Sequence, residues 1–203
     1  MADAISTNEW HELARDQLGV ADALGFDRFI TGGASMGAAA SLHVASLAPE
    51  RVRALILAIP PTAWEARARQ AHAWAAVADA VDRIGHEAFA TMVTSRPPPD
   101  PFRDDPDSFY ASRLDGLAQL DPIRLAVAFR TAARANLPPV DVLATVSVPT
   151  LILAWTGDPV HPVDTVSTLV EVMPCATAHV ARSPAQLASW PALTRAFVEQ
   201  LDV

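Results

Sequence analysis

A chain of 203 residues with 51% hydrophobic residues and a mean hydropathy of +0.19 has enough apolar material to fill one core, which excludes intrinsic disorder. A formal charge of −8 and a pI near 5.1 exclude the usual electrostatic footprint of a nucleic-acid binder. All 15 basic residues are arginines, scattered along the chain, and the single cysteine, Cys175, excludes an internal disulfide framework and a multi-cysteine metal site.

Met1-Ala2-Asp3-Ala4 has neither the basic region nor the following apolar run of a secretory signal. The longest apolar runs, residues 54–61 and 148–155, are of strand length and too short to span a bilayer. The expectation is a soluble cytoplasmic protein with no membrane partner.

In chain order, residues 9–24 have helical spacing, with Thr7 or Asn8 able to cap the start and Gly25 the end. Residues 26–31 read as a first strand and 35–47 as the helix after it, stopped by Pro49. Residues 53–59 form a continuous apolar run of the kind buried on both faces of a parallel sheet, ended by Pro60-Pro61. From 62 to 136 helical patterns dominate (64–80, 85–94, 109–120 and 122–135), interrupted by a Pro/Asp-rich stretch at 96–106 expected to be an exposed loop. Residues 148–155 make a third strand, 163–173 a helix, 177–181 a short fourth strand, and 184–201 a closing amphipathic helix. Strands alternating with helices imply a parallel α/β sheet with right-handed crossovers.

The chemistry gathers at the first strand–helix junction. Gly33-Ala34-Ser35-Met36-Gly37 satisfies Gly-x-Ser-x-Gly, which between a strand and a helix forms a nucleophile elbow. The sharp turn holds the serine in a strained conformation that exposes its hydroxyl, and the flanking glycines keep side chains clear of the adjoining strand and helix. Unpaired N–H groups at the helix N-terminus favour an oxyanion. No Gly-x-Gly-x-x-Gly is present, no lysine exists to complete a phosphate loop, and no acidic residue ends the second strand, so no nucleotide cofactor is expected.

The elbow, the strand ending in Pro-Pro, the helical insertion and the loop Thr156-Gly157-Asp158-Pro159-Val160-His161-Pro162 together resemble an α/β-hydrolase over essentially the whole chain. The resemblance implies a core of 1–61 and 137–203 with 62–136 as a helical cap, Ser35 as nucleophile, Met36 N–H as an oxyanion donor and Asp158 as the acid. It corresponds to the C-terminal two-thirds or so of the usual fold. The early strands, and a loop supplying a second oxyanion N–H, have no counterpart before Asn8, which would leave the first strand as a sheet edge. The family histidine follows the last strand, yet residues 182–186 contain none. His161 and His179 are the candidates for the base, with His161 the assigned one.

The implied activity is a cofactor-free serine hydrolase acting on an ester, lactone or similar small acyl substrate. The alternative is a non-catalytic hydrolase-like binding domain. Pairing of the exposed first-strand edge between copies would make a homo-oligomer. His11, His43, His72 and His86 read as structural or exposed, Arg67 and Arg69 as a solvated helix face, and Trp64, Trp74 and Phe89 as lining the contact between cap and core. Cys175 has no evident activator.

Overall fold

The computed structural model describes residues 9–119 and 121–201. The expected helix cap at Thr7 or Asn8, the stretch Met1–Ala4 and the predicted helix end at Leu120 lie outside the described residues.

Four strands, β1 (Phe29–Ala34), β2 (Val52–Ala58), β3 (Thr150–Trp155) and β4 (Ala176–Ala181), form one parallel sheet in the order β1-β2-β3-β4. Pairing is direct: Gly32 faces Ile56, Leu57 faces Ile152, and Leu153 faces His179. The first strand runs three residues further than its apolar run predicts, because backbone pairing with β2 continues through Gly32-Gly33-Ala34 irrespective of side chains. All six residues of β3 are buried, as expected of a central strand covered on both faces.

One face of the sheet is packed by α1 (Glu9–Ala23), α2 (Met36–Leu47), α7 (Val140–Leu143) and α8 (Val163–Val172). The alanines of α2 let it lie close: Ala38, Ala39, Ala40 and Ala45 are all buried, and its Ser41 hydroxyl bonds Thr31 Oγ1 of β1 (3.1 Å). On the opposite face α9 (Pro184–Ala188) and α10 (Trp190–Leu201) replace the single closing helix that periodicity predicts. The break falls at Ser189, because Pro191 cannot donate a helical hydrogen bond to Leu187 and its ring would crowd that carbonyl. No residue of α10 is fully buried.

Between β2 and β3 lie α3 (Trp64–Ile84), α4 (His86–Thr94), α5 (Pro106–Ala118) and α6 (Pro122–Arg134). They have an apolar cluster of their own, built on Ala78, Val81, Phe89, Leu125 and Phe129. Asn136 ties the two ends of this insertion together. Its side-chain oxygen accepts from Trp64 N (2.6 Å) and Leu137 N (2.9 Å), and its amide donates to Trp64 O (3.2 Å). Trp64 itself sits at φ 50°, a left-handed conformation that needs such support.

Two sequence expectations are corrected here. Arg67 does not lie on a solvated face: it is 3% exposed, its guanidinium stacked 4.3 Å from the Trp10 ring and donating to the carbonyls of Ala135 (2.9 Å) and Ala132 (2.5 Å). Burial lowers its pKa to about 10. Nor is the 96–106 stretch a free loop. Pro99 and Pro101 are buried, Asp100 N donates to Thr156 O (2.9 Å), and Thr156 Oγ1 donates to Asp100 (2.6 Å), docking the segment on the end of β3. No helix among the described residues is long and apolar enough to cross a membrane.

Candidate active site

The turn from β1 to α2 places Ser35 at φ 53° and ψ −110°, outside the region an ordinary side chain occupies. Its N–H is paired to Ala58 O of β2 (2.9 Å), and its carbonyl accepts from Ala39 N (3.1 Å), so strand and helix hold the strained residue from both sides. Of the glycines around it, Gly32 and Gly33 are required by contact, whereas a Cβ on Gly37 would itself meet nothing within 4 Å. A Cβ on Gly32 would meet Ile56 O at 2.3 Å, and one on Gly33 would meet the Gly37 backbone at 3.0 Å. Met36 heads α2, where the first-turn N–H groups have no acceptor within the helix.

Opposite the elbow, β3 ends at Trp155 and the chain turns through Gly157, at φ 81° and packed so closely on Asp100 that a Cβ would lie 2.7 Å from its carboxylate. Asp158 then folds back over its own loop. Its carboxylate accepts from Val160 N (2.9 Å), from Trp155 Nε1 (3.0 Å) and from His161 Nδ1 (2.7 Å). His161 Nε2 lies 2.8 Å from Ser35 Oγ. Ser35, His161 and Asp158 thus form one unbroken hydrogen-bonded line. The His161 side chain is 3% exposed and that of Asp158 8%. Burial pushes the Asp158 carboxyl up, but the hydrogen bond and charge of His161, with the Trp155 and Val160 donors, outweigh it and hold the group well below the usual carboxylate range.

Thr62 fixes this loop from the far side. Its N–H donates to Val160 O (2.8 Å) and its hydroxyl to the same carbonyl (2.9 Å). Nothing in the sequence marks Thr62, since its partner lies 98 residues away. The loop at 182–186, where the family histidine would stand, is used structurally: Ser183 caps α9 by accepting from Gln186 N (3.4 Å), and Gln186 accepts from Arg182 N (2.7 Å). His179 is exposed on the edge strand β4 and does not line the cavity at Ser35.

That cavity holds about 210 Å³ between the elbow, the 158–161 loop and the helical insertion. Trp74, Phe89, Phe109 and Phe129 give it an aromatic wall, with Arg96 and Arg113 among the lining residues. Trp74 and Phe89, expected at the contact between insertion and core, face this space, whereas Trp64 packs on the main core. Among the described residues no cluster of His, Cys, Asp or Glu is arranged to hold a metal ion.

The sequence matches the family described as alpha/beta hydrolase fold over residues 3–184. The chain belongs to the α/β-hydrolase fold family. Its fold is shared with solved structures at low identity. A thermophilic esterase from Thermogutta terrifontis, solved with malate bound, superposes with a TM-score of 0.77 at 21% identity, over 96% of this chain and 73% of that one. MenH from S. aureus gives 0.78 at 18% identity, over 100% and 80%. An enol-lactonase from Burkholderia xenovorans LB400 gives 0.68 at 18% identity, over 95% and 72%. No curated protein matches the sequence. Within the α/β-hydrolase frame, β1 and α2 make the elbow, and β3 leads into the loop of Asp158.

Proposed function

We propose that this chain is a serine hydrolase of small ester, lactone or similar acyl substrates, working without a cofactor. The observation that supports it best is His161, bridging Ser35 Oγ and Asp158 at 2.8 and 2.7 Å from a buried position. A hydroxyl is a weak nucleophile at neutral pH until a base takes its proton, and an imidazole held in one tautomer by a carboxylate is such a base.

In this reading Ser35 Oγ attacks the acyl carbonyl while its proton passes to His161 Nε2. The carbonyl electrons move onto oxygen, where Met36 N–H and the α2 dipole stabilise the anion. Collapse expels the alkoxide, which takes the proton from His161 and leaves an acyl-Ser35. Water then attacks, giving its proton to His161, and the second collapse returns that proton to Ser35 and frees the acid. Asp158 stays ionised throughout and stabilises the imidazolium. Residues 62–136 serve as the cap that encloses the acyl group, over a core of 1–61 and 137–203.

Labelling with a fluorophosphonate probe tests this. The wild-type chain is expected to label and Ser35→Ala to lose the label entirely; label that persists in Ser35→Ala, or none in the wild type, rejects the assignment.

A further inference from the structure

The cavity over Ser35 combines an aromatic wall with two guanidinium groups and one carboxylate. That carboxylate, Asp158, already accepts from His161, Trp155 and Val160. Six arginines elsewhere, such as Arg51 with Asp22 and Arg130 with Asp79 and Asp82, pair with acidic side chains. Among the described residues neither Arg113 nor Arg96 has such a pair. A guanidinium in a largely apolar pocket without a carboxylate partner is an anion receptor waiting for its ligand, since five donors in a planar fork match a carboxylate.

Arg113 is the better placed of the two. It is half-buried, whereas Arg96 is exposed at the rim. Its guanidinium lies 4.8 Å from the Phe109 ring centroid. Phe109 packs on Phe102 (5.0 Å), and Phe102 meets Trp155 edge-on (5.4 Å), the residue that donates to Asp158. A continuous aromatic stack therefore sets Arg113 relative to the acid and base. Burial pulls the Arg113 pKa down and the nearby Asp158 charge pulls it back up, and the side chain remains a cation at neutral pH.

We infer that the substrate carries a carboxylate, bound by Arg113 within the cavity while its scissile acyl carbonyl lies at Ser35. This rests on the hydrolase assignment above. The volume of about 210 Å³ is small beside common ligand pockets of roughly 300–1,000 Å³, so a short acyl chain ending in an anion fits better than a long lipid. A protein with formal charge −8 repels anions overall, which makes a locally cationic lining all the more selective in purpose.

Two esters that differ only in charge make the test: 4-nitrophenyl hydrogen adipate and methyl 4-nitrophenyl adipate. The wild type is expected to favour the anionic ester in kcat/KM by about 10- to 100-fold, the range of a hydrogen bond to a charged group. In Arg113→Gln the ratio falls to about one, and in Arg113→Lys part of it returns. No preference in the wild type, or one that survives Arg113→Gln, overturns the inference; a merely structural Arg113 would leave the ratio unmoved. Calorimetric titration of Ser35→Ala with monomethyl and dimethyl adipate reads the anion site without turnover. Binding of the monoester alone, lost on adding Arg113→Gln, supports the site even if probe labelling has rejected Ser35 as nucleophile. Ser35-dependent hydrolysis with no charge discrimination in either assay rejects the anion site and leaves the hydrolase standing.

Discussion

In the proposed reaction Asp158 serves structure and chemistry through the same contacts. Its carboxyl is held below the ordinary range, so the folded state keeps the anion to a lower pH than the unfolded chain does. The folded chain binds fewer protons below about pH 4, so the stability from Asp158 is complete above the unfolded carboxyl pKa of about 3.9 and is lost as pH falls through the depressed folded value. Asp158→Asn is therefore expected to be less stable than wild type above about pH 5, and the margin should close on acidification below about pH 4, as followed by urea denaturation. A pH-independent margin would show that the carboxylate is not the ionised acceptor described. The same variant is expected to lose about 10⁴-fold in kcat, by analogy with triads whose acid is neutralised. Ser35 was legible in the sequence because Gly-x-Ser-x-Gly needs no tertiary information, and Asp158 because it follows a buried strand. His161 was assigned over His179 from the sequence because it closely follows Asp158, and the fold supplies the reason: β4 turns His179 outward, while the Asp158 turn brings His161 back over the elbow. Arg67 and Arg113 were not legible at all. The ring that buries one comes from α1, and the cavity that receives the other exists only when α5 and the 158–161 loop come together.

At the scale of elements, a polar clasp ties together the two ends of the insertion where it leaves the core. Asn136 satisfies the backbone of Trp64 in both directions and also accepts from Leu137, and Trp64 occupies a left-handed conformation that an unsupported tryptophan would leave. Asn136→Ala removes those partners together and is expected to cost about 2 kcal/mol or more in denaturant unfolding, since each part-buried group left unpaired costs about 1–3 kcal/mol. A loss below about 0.5 kcal/mol would mean that water replaces the side chain without penalty. Periodicity located the helices of this insertion well, because amphipathic faces depend on local spacing alone. It failed where two helices share one phase: the apolar positions of 184–201 run on across Ser189, and only the covalent geometry of Pro191 divides them. It also failed at 96–106, where proline richness signals an irregular backbone but says nothing of Asp100 finding Thr156.

Across the whole molecule, apolar surface collects beside β1. Val20, Leu24 and Phe26 are 60%, 63% and 52% exposed, and with Met36 they line a groove along the edge strand. Exposed apolar faces of this kind promote association. The double substitution Val20→Arg and Leu24→Arg is expected to lower binding of a hydrophobic dye and raise solubility while changing unfolding free energy by less than about 0.5 kcal/mol, as for other exposed positions. A loss of 2 kcal/mol or more, or a concentration-dependent melting point abolished by the substitution, would reveal that these side chains are covered in solution by a second copy.

The short path from Asp158 to His161 has a consequence for how the chain tolerates rearrangement. Acid and base stand three residues apart on one turn, and their anchors, Trp155, Val160 and Thr62, all precede β4. Everything from residue 182 onward contributes no hydrogen bond to the Ser35–His161–Asp158 line among the described residues. The C-terminal helices reach this line only through packing, Trp190 stacking 5.7 Å from the Trp155 ring that donates to Asp158, so new chain ends at the exposed Arg182 would leave its hydrogen bonds in place provided that stack is kept.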